Sequence, residues 1–119
     1  MEYQFDRVVE RQHVTVTERD GFARTSVAAP TAGRIIYVDI DRVGVAVADL
    51  GGELAAFDDT CTHRECPLSE GTIVDASVIC PCHKSRFDLR TGQPLNGPAT
   101  QPIRIRVVRV EDGHLVIER

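Results

Sequence analysis

No stretch of the 119-residue sequence approaches the roughly 18 consecutive apolar residues that a membrane span requires. A basic excess is also absent. With 14 Lys and Arg against 18 Asp and Glu, the formal net charge is −4, which argues against a nucleic-acid binder. Met1 to Gln12 carries Glu2, Asp6, Arg7, Glu10 and Arg11 where a signal peptide needs an apolar stretch, and it holds no twin arginine. Internal repeats and low-complexity segments are missing, and the length suffices for one core of ordinary size but not two. These absences predict a single cytoplasmic domain with neither nucleic acid nor membrane as a partner.

The apolar residues that are present recur with period two far more often than with period 3.6. Ile36, Val38 and Ile40 share one face of a strand, and so do Val43, Val45 and Val47. Ile103, Ile105 and Val107 alternate with Arg104 and Arg106 in the same way. Turn signals separate these runs at Gly51-Gly52, Thr91-Gly92 and Asp112-Gly113. The Asp112-Gly113 pair predicts a hairpin joining Arg106–Val110 to His114–Ile117. Short strands with frequent glycine turns predict an all-β fold, a small antiparallel sandwich or barrel rather than βαβ units.

Residues 1–21 read as an N-terminal extension to a domain spanning 22–119. Phe5, Val8 and Val9 have helical spacing, whereas His13 to Thr17 alternates like a strand and leads into the Asp20-Gly21 turn. A hairpin from His13 to Val27 is the preferred reading, with a short helix before it as the alternative. Such an extension either lies on the domain surface or contacts a partner. Five of the six prolines fall after Asp59, stiffening loops in a region of about residues 59–100.

That region also holds the chemistry. Cys61, Cys66, Cys80 and Cys82 lie close together, with His63 and His83 among them. His13 and His114 stand apart and are assigned to the surface. Cys61-Thr62-His63 and Cys80-Pro81-Cys82-His83 each offer one thiolate and one imidazole, a donor set that suits a tetrahedral zinc or a [2Fe–2S] cluster. Structural zinc sites usually pair like ligands at Cys-x₂₋₄-Cys or His-x₃₋₅-His spacing. A two-iron cluster with thiolates on one iron and imidazoles on the other is met directly by two loops that each give one of both. Histidines in place of two thiolates make the centre less negative and raise its potential.

The two segments Cys61-Thr62-His63-Arg64-Glu65-Cys66 and Cys80-Pro81-Cys82-His83-Lys84-Ser85 resemble the cluster-binding boxes of Rieske [2Fe–2S] proteins. Gly71, Phe87-Asp88, Thr91-Gly92 and Gly97-Pro98-Ala99 extend the similarity over approximately residues 33–117. The resemblance implies a Rieske-type antiparallel β fold with a cluster-binding subdomain formed by two loops. It implies that Cys61 and Cys80 bind one iron and His63 and His83 the other.

Family members of the respiratory-complex type have cysteines matching Cys66 and Cys82 and pair them. The resemblance therefore implies a disulfide between the two loops, although many soluble Rieske ferredoxins lack it. By the same resemblance, Ser85 donates its hydroxyl to a cluster sulfide. Phe87 stands where high-potential relatives have a tyrosine that contacts a ligand sulfur. Losing that donor predicts a potential in the lower half of the family range of roughly −150 to +300 mV. Lys84, the only lysine in the chain, replaces a common glycine and so bears on the backbone angle at that position. Gly97-Pro98-Ala99 resembles the loop that covers the cluster.

These readings converge on a Rieske-type ferredoxin, a one-electron carrier and not an enzyme on its own. It would pass electrons from a flavin-dependent reductase to an oxygenase or another redox enzyme. An alkaline fall in potential is expected when an imidazole loses its second proton. No candidates exist outside the cluster for a mononuclear-iron triad of two His and a carboxylate. The alternatives are a subunit held permanently in a larger oxidoreductase such as a nitrite-reductase-like complex, a redox sensor, and a zinc-stabilised interaction module.

Overall fold

In a computed structural model of the chain, the described residues are 21–63 and 65–119. Among these residues, eleven strands form three antiparallel sheets. The first sheet, ordered β1-β11-β10, joins β1 (Phe22–Ala28), β10 (Val108–Glu111) and β11 (His114–Glu118). The second, ordered β2-β3-β4-β9, joins β2 (Ile35–Ile40), β3 (Val43–Asp49), β4 (Leu54–Asp58) and β9 (Ile105–Arg106). The third runs in sequence order through β5 (Thr72–Val74), β6 (Ser77–Ile79), β7 (Arg86–Asp88) and β8 (Pro94–Asn96).

The β2–β3–β4–β9 sheet is buried on both faces, and that places the site. On one face Val38, Ile40, Val45 and Val47 pack against Ala23, Val27, Leu115 and Ile117 of the first sheet. On the other face Ala46, Ala48, Ala55 and Phe57 meet Leu68, Val78, Phe87 and Leu89 beneath the third sheet. The alternating small neighbours in Val45-Ala46-Val47-Ala48 are thus a second core face. Burying Phe57 or Phe87 in full is worth about 2–3 kcal/mol each. Cys61 and Cys80 sit in this second core.

The Asp112-Gly113 hairpin forms as expected, with both residues at positive φ and Glu111 opposite His114. A second tight hairpin joins β2 to β3 through Asp41 and Arg42, at φ 52 and 68. It lacks the glycine that would have marked it in the sequence. Thr25 patches a register shift between β1 and β11: its hydroxyl donates to the Leu115 carbonyl at 2.8 Å and accepts the Val27 N–H at 3.0 Å.

The expected alternation of Ile103, Ile105 and Val107 breaks at its end. Arg106 is buried, and Val107 is 58% exposed. The chain leaves the β4 edge at Arg106 and enters the first sheet at Val108, so the inward face changes between them. Arg106 is satisfied there, with Nε donating to Asp58 at 2.6 Å and Nη1 to the Glu118 carbonyl at 2.8 Å. Of the hairpin proposed for His13 to Val27, the second arm exists as β1 and pairs with β11. Its first arm and His13 lie outside the described residues. His114 is exposed, as assigned.

Candidate metal centre

Each segment that bears candidate donors emerges from a strand end. The first, Asp59 to Pro67, links β4 to a 3₁₀ turn at Leu68–Glu70. The second, Cys80 to Ser85, is the tip of the β6–β7 hairpin, in which Ile79 faces Arg86. The two tips repeat one backbone pattern. Cys61 N–H donates to the Cys66 carbonyl at 2.9 Å and Glu65 N–H to the Cys61 carbonyl at 2.8 Å. Cys80 N–H donates to the Ser85 carbonyl at 2.7 Å and Lys84 N–H to the Cys80 carbonyl at 3.1 Å. Glu65 and Lys84 close the two turns at φ 58 and 65. The backbone angle at Lys84 is therefore the left-handed one that favours glycine.

The base of the first segment is clamped. Asp59, buried at the end of β4, accepts the Ser69 N–H at 2.5 Å through Oδ1 and the Ser69 hydroxyl at 2.7 Å through Oδ2. Its backbone carbonyl accepts the Leu68 N–H at 3.3 Å, and Thr60 bridges Pro67 beside it. A disulfide joins Cys66 to Cys82 and ties the two tips together.

A third segment, Gly97 to Pro102, runs from β8 back towards β9 and is held by both tips. The Thr62 hydroxyl donates to the Gln101 carbonyl at 2.7 Å. The buried Ser85 hydroxyl accepts the Ala99 N–H at 3.0 Å. Gly92 anchors the far end of this segment, because the Ile103 N–H donates to its carbonyl at 2.9 Å. At φ +84, a Cβ on Gly92 would press into the Ile103 carbonyl.

These constraints gather four donors. Cys61 and Cys80 are free thiols, 0% and 1% exposed. Burial pushes the Cys80 thiol above its ordinary value, and the neighbouring Cys61 thiol acts in the same sense. The backbone N–H groups of Cys82 and His83 oppose that shift by stabilising a thiolate. The His63 and His83 rings stand 5.2 Å apart between centroids and nearly perpendicular, at 89°. His83 is exposed and His63 partly buried.

Among the described residues, His63 Nδ1 is the buried side-chain polar atom left without a hydrogen-bond partner. A buried ring nitrogen with no partner is costly unless a metal takes its lone pair. Cys66, Cys80 and Cys82 also bring their sulfurs within 4.8 Å of one another, but Cys66 and Cys82 are consumed by the disulfide. The free donors are two thiols and two imidazoles, which fit a cluster with sulfur on one iron and nitrogen on the other. An open groove of about 420 Å³ runs beside Cys61, Thr62, Glu65 and Arg104.

Nothing in the sequence marks Asp59 and Ser69 as partners. They are ten positions apart and carry no spacing signature. Thr62 lies inside the first box, yet its bond depends on where Gln101 ends up in space.

An all-β scaffold that seats two buried thiols and a pair of imidazoles at adjoining loop tips defines an iron–sulfur electron-transfer domain. The chain belongs to the Rieske [2Fe–2S] family, whose domain model matches residues 10–114. The anthranilate 1,2-dioxygenase ferredoxin subunit of Burkholderia cepacia is 41% identical over 73 residues, 61% of this chain and 68% of that protein. The 3-phenylpropionate/cinnamic acid dioxygenase ferredoxin subunit of Escherichia coli K12 is 39% identical over 93 residues, 77% of this chain and 87% of that one.

Among solved structures, a chain in the complex of reduced oxygenase and oxidized ferredoxin of carbazole 1,9a-dioxygenase superposes with a TM-score of 0.72. It is 34% identical, and the match covers 76% of this chain and 97% of that chain. The ferredoxin of carbazole 1,9a-dioxygenase from Nocardioides aromaticivorans IC177 gives 0.71 at 28% identity, covering 77% and 95%. The chain is thus similar to electron-transfer ferredoxins, and the family carries a [2Fe–2S] cluster.

Proposed function

We propose that this protein carries single electrons from a flavin-dependent reductase to a terminal oxygenase in the cytoplasm. The observation that carries the reading is the pair of imidazole rings at the loop tips, His83 exposed and His63 partly buried, beside two buried thiols. The named roles of its relatives in dioxygenase systems support an oxygenase as the acceptor. Residues 22–119 form the cluster domain in this reading, and residues 1–21 are an extension available to a partner. Among the described residues, no helix is long and apolar enough to cross a membrane.

Cys61 and Cys80 would hold one iron, and His63 and His83 the other. When bound, the cluster supplies a one-electron redox couple. The chain's own part is to keep those four donors fixed. The Cys66–Cys82 disulfide, the Asp59–Ser69 clamp and the Thr62–Gln101 bond limit loop movement, and small movement lowers the reorganisation that slows electron transfer. The N–H groups of Cys82 and His83 point at the Cys80 sulfur and favour the more negative, reduced state, and the Ser85 hydroxyl would add a donor to a cluster sulfide.

The test is an anaerobic reductive titration of the iron-loaded protein, followed by mixing with the oxygenase component from the same cells. Uptake of one electron per chain and rapid reoxidation by the oxygenase support the proposal. Uptake of none, or reduced protein that the oxygenase leaves unchanged, contradicts it.

A further inference from the structure

We infer that Glu65 and Lys84 make the tip of the ligand loops self-complementary, so that two copies of this chain meet tip to tip and exchange an electron there. The inference rests on the electron-carrier reading above. Its starting point is the repeated backbone of the two loops. Glu65 and Lys84 occupy the same position in that repeat, each donating its N–H to the carbonyl of the cysteine four residues earlier. Both have left-handed φ, at 58 and 65. Glycine fits such a position without the clash that any Cβ introduces.

Two charged residues of opposite sign stand there instead. Glu65 follows His63 by two residues, and Lys84 follows His83 by one. Both side chains are exposed, and neither enters an ion pair among the described residues. One negative and one positive charge thus stand within two residues of the imidazoles along the chain, one on each loop.

A surface with this polarity matches itself. A two-fold axis lying in the plane of contact, perpendicular to the line from Glu65 to Lys84, sets each Glu65 against Lys84 of the second copy. The same operation apposes the two loop tips, each of which carries an exposed His83. Two copies at −4 each repel at long range, and the two crossed pairs offset this locally. The exchange balances simply: the reduced copy loses one electron and the oxidised copy gains it. No bond forms or breaks.

Charge reversal separates this arrangement from a plain net-charge effect. The electron self-exchange rate is measured by nuclear magnetic resonance on mixtures of oxidised and reduced iron-loaded protein at low salt. Glu65→Lys and Lys84→Glu each replace two attractive contacts by two repulsive ones, and each should slow exchange about tenfold. The double variant Glu65→Lys/Lys84→Glu restores complementarity and should recover most of the rate. Static light scattering provides a second readout: either single variant should raise the second virial coefficient, and the double variant should return it.

If net charge alone governs the encounter, Glu65→Lys speeds exchange, Lys84→Glu slows it, and the inference is overturned. Rates indifferent to all three variants overturn it equally. A preparation that takes up no electron at all would instead sink the proposed function.

Discussion

Ala99 donates its backbone N–H to the Ser85 hydroxyl oxygen at 3.0 Å, so the serine acts as acceptor in that bond and keeps its own proton to donate. Ser85 is fully buried, and its proton needs an acceptor inside the protein. A sulfur of the bound cluster would fill that need, and the bond would strengthen as the cluster gains negative charge. A net hydrogen bond of about 1 kcal/mol corresponds to about 40 mV for one electron. Ser85→Ala should therefore lower the midpoint potential by about 40 mV, and Ser85→Thr should keep most of it. Protein-film voltammetry reads both.

The disulfide is expected to stabilise the fold as well as the site. Cys66 and Cys82 are separated by 16 positions. Chain-entropy reasoning assigns closure of a loop of that size roughly 3 kcal/mol. The double variant Cys66→Ser/Cys82→Ser should lose about that much in guanidinium unfolding, and it should release iron faster to a chelator. Unchanged release would show that the other ties suffice to hold the loops.

Much of this was legible in the sequence, and the reason is local. The candidate donors lie two or three positions apart, so Cys61-Thr62-His63 and Cys80-Pro81-Cys82-His83 display them without knowledge of the fold. The Asp112-Gly113 hairpin is visible for the same reason, since two adjacent residues supply both positive φ angles. The Asp41-Arg42 turn uses the same geometry with residues that do not advertise it. Arg106 read as a solvent-facing partner of Ile105 because period-two alternation assumes one continuous sheet. The chain changes sheets at that point. The Asp59–Ser69 clamp and the hold of Thr62 on Gln101 join residues whose meeting depends on tertiary structure, which periodicity does not encode.

Asp59 offers a test of how the first loop is kept in shape. Ser69→Ala removes the hydroxyl donated to Oδ2 but leaves the backbone bond to Oδ1. A cost of about 1 kcal/mol is expected. Asp59→Ala also strips the acceptor from the buried Ser69 N–H, and about 3 kcal/mol is expected. Thermal unfolding with calorimetry ranks the two. Equal losses would mean that the hydroxyl, and not the backbone contact, holds the turn.

Gly92 tests the third segment in the same way. Alanine there would face both the left-handed backbone at φ +84 and the Ile103 carbonyl. A loss of about 2–3 kcal/mol is expected. Because the Ile103 N–H bonds to the Gly92 carbonyl, the strain should spread into residues 97–103. Hydrogen exchange at the Ala99 amide should accelerate in Gly92→Ala ahead of the amides of β11. Uniform acceleration across the chain would place the damage in the whole fold instead.

The most direct check on the account is electron paramagnetic resonance of the reduced protein prepared with ¹⁵N-labelled histidine. Ligation by His63 and His83 predicts a signal whose average g lies well below that of an all-cysteine cluster, with hyperfine couplings from two inequivalent imidazole nitrogens. A signal of the all-cysteine kind without nitrogen coupling, or a colourless protein that contains zinc and no sulfide, would contradict it.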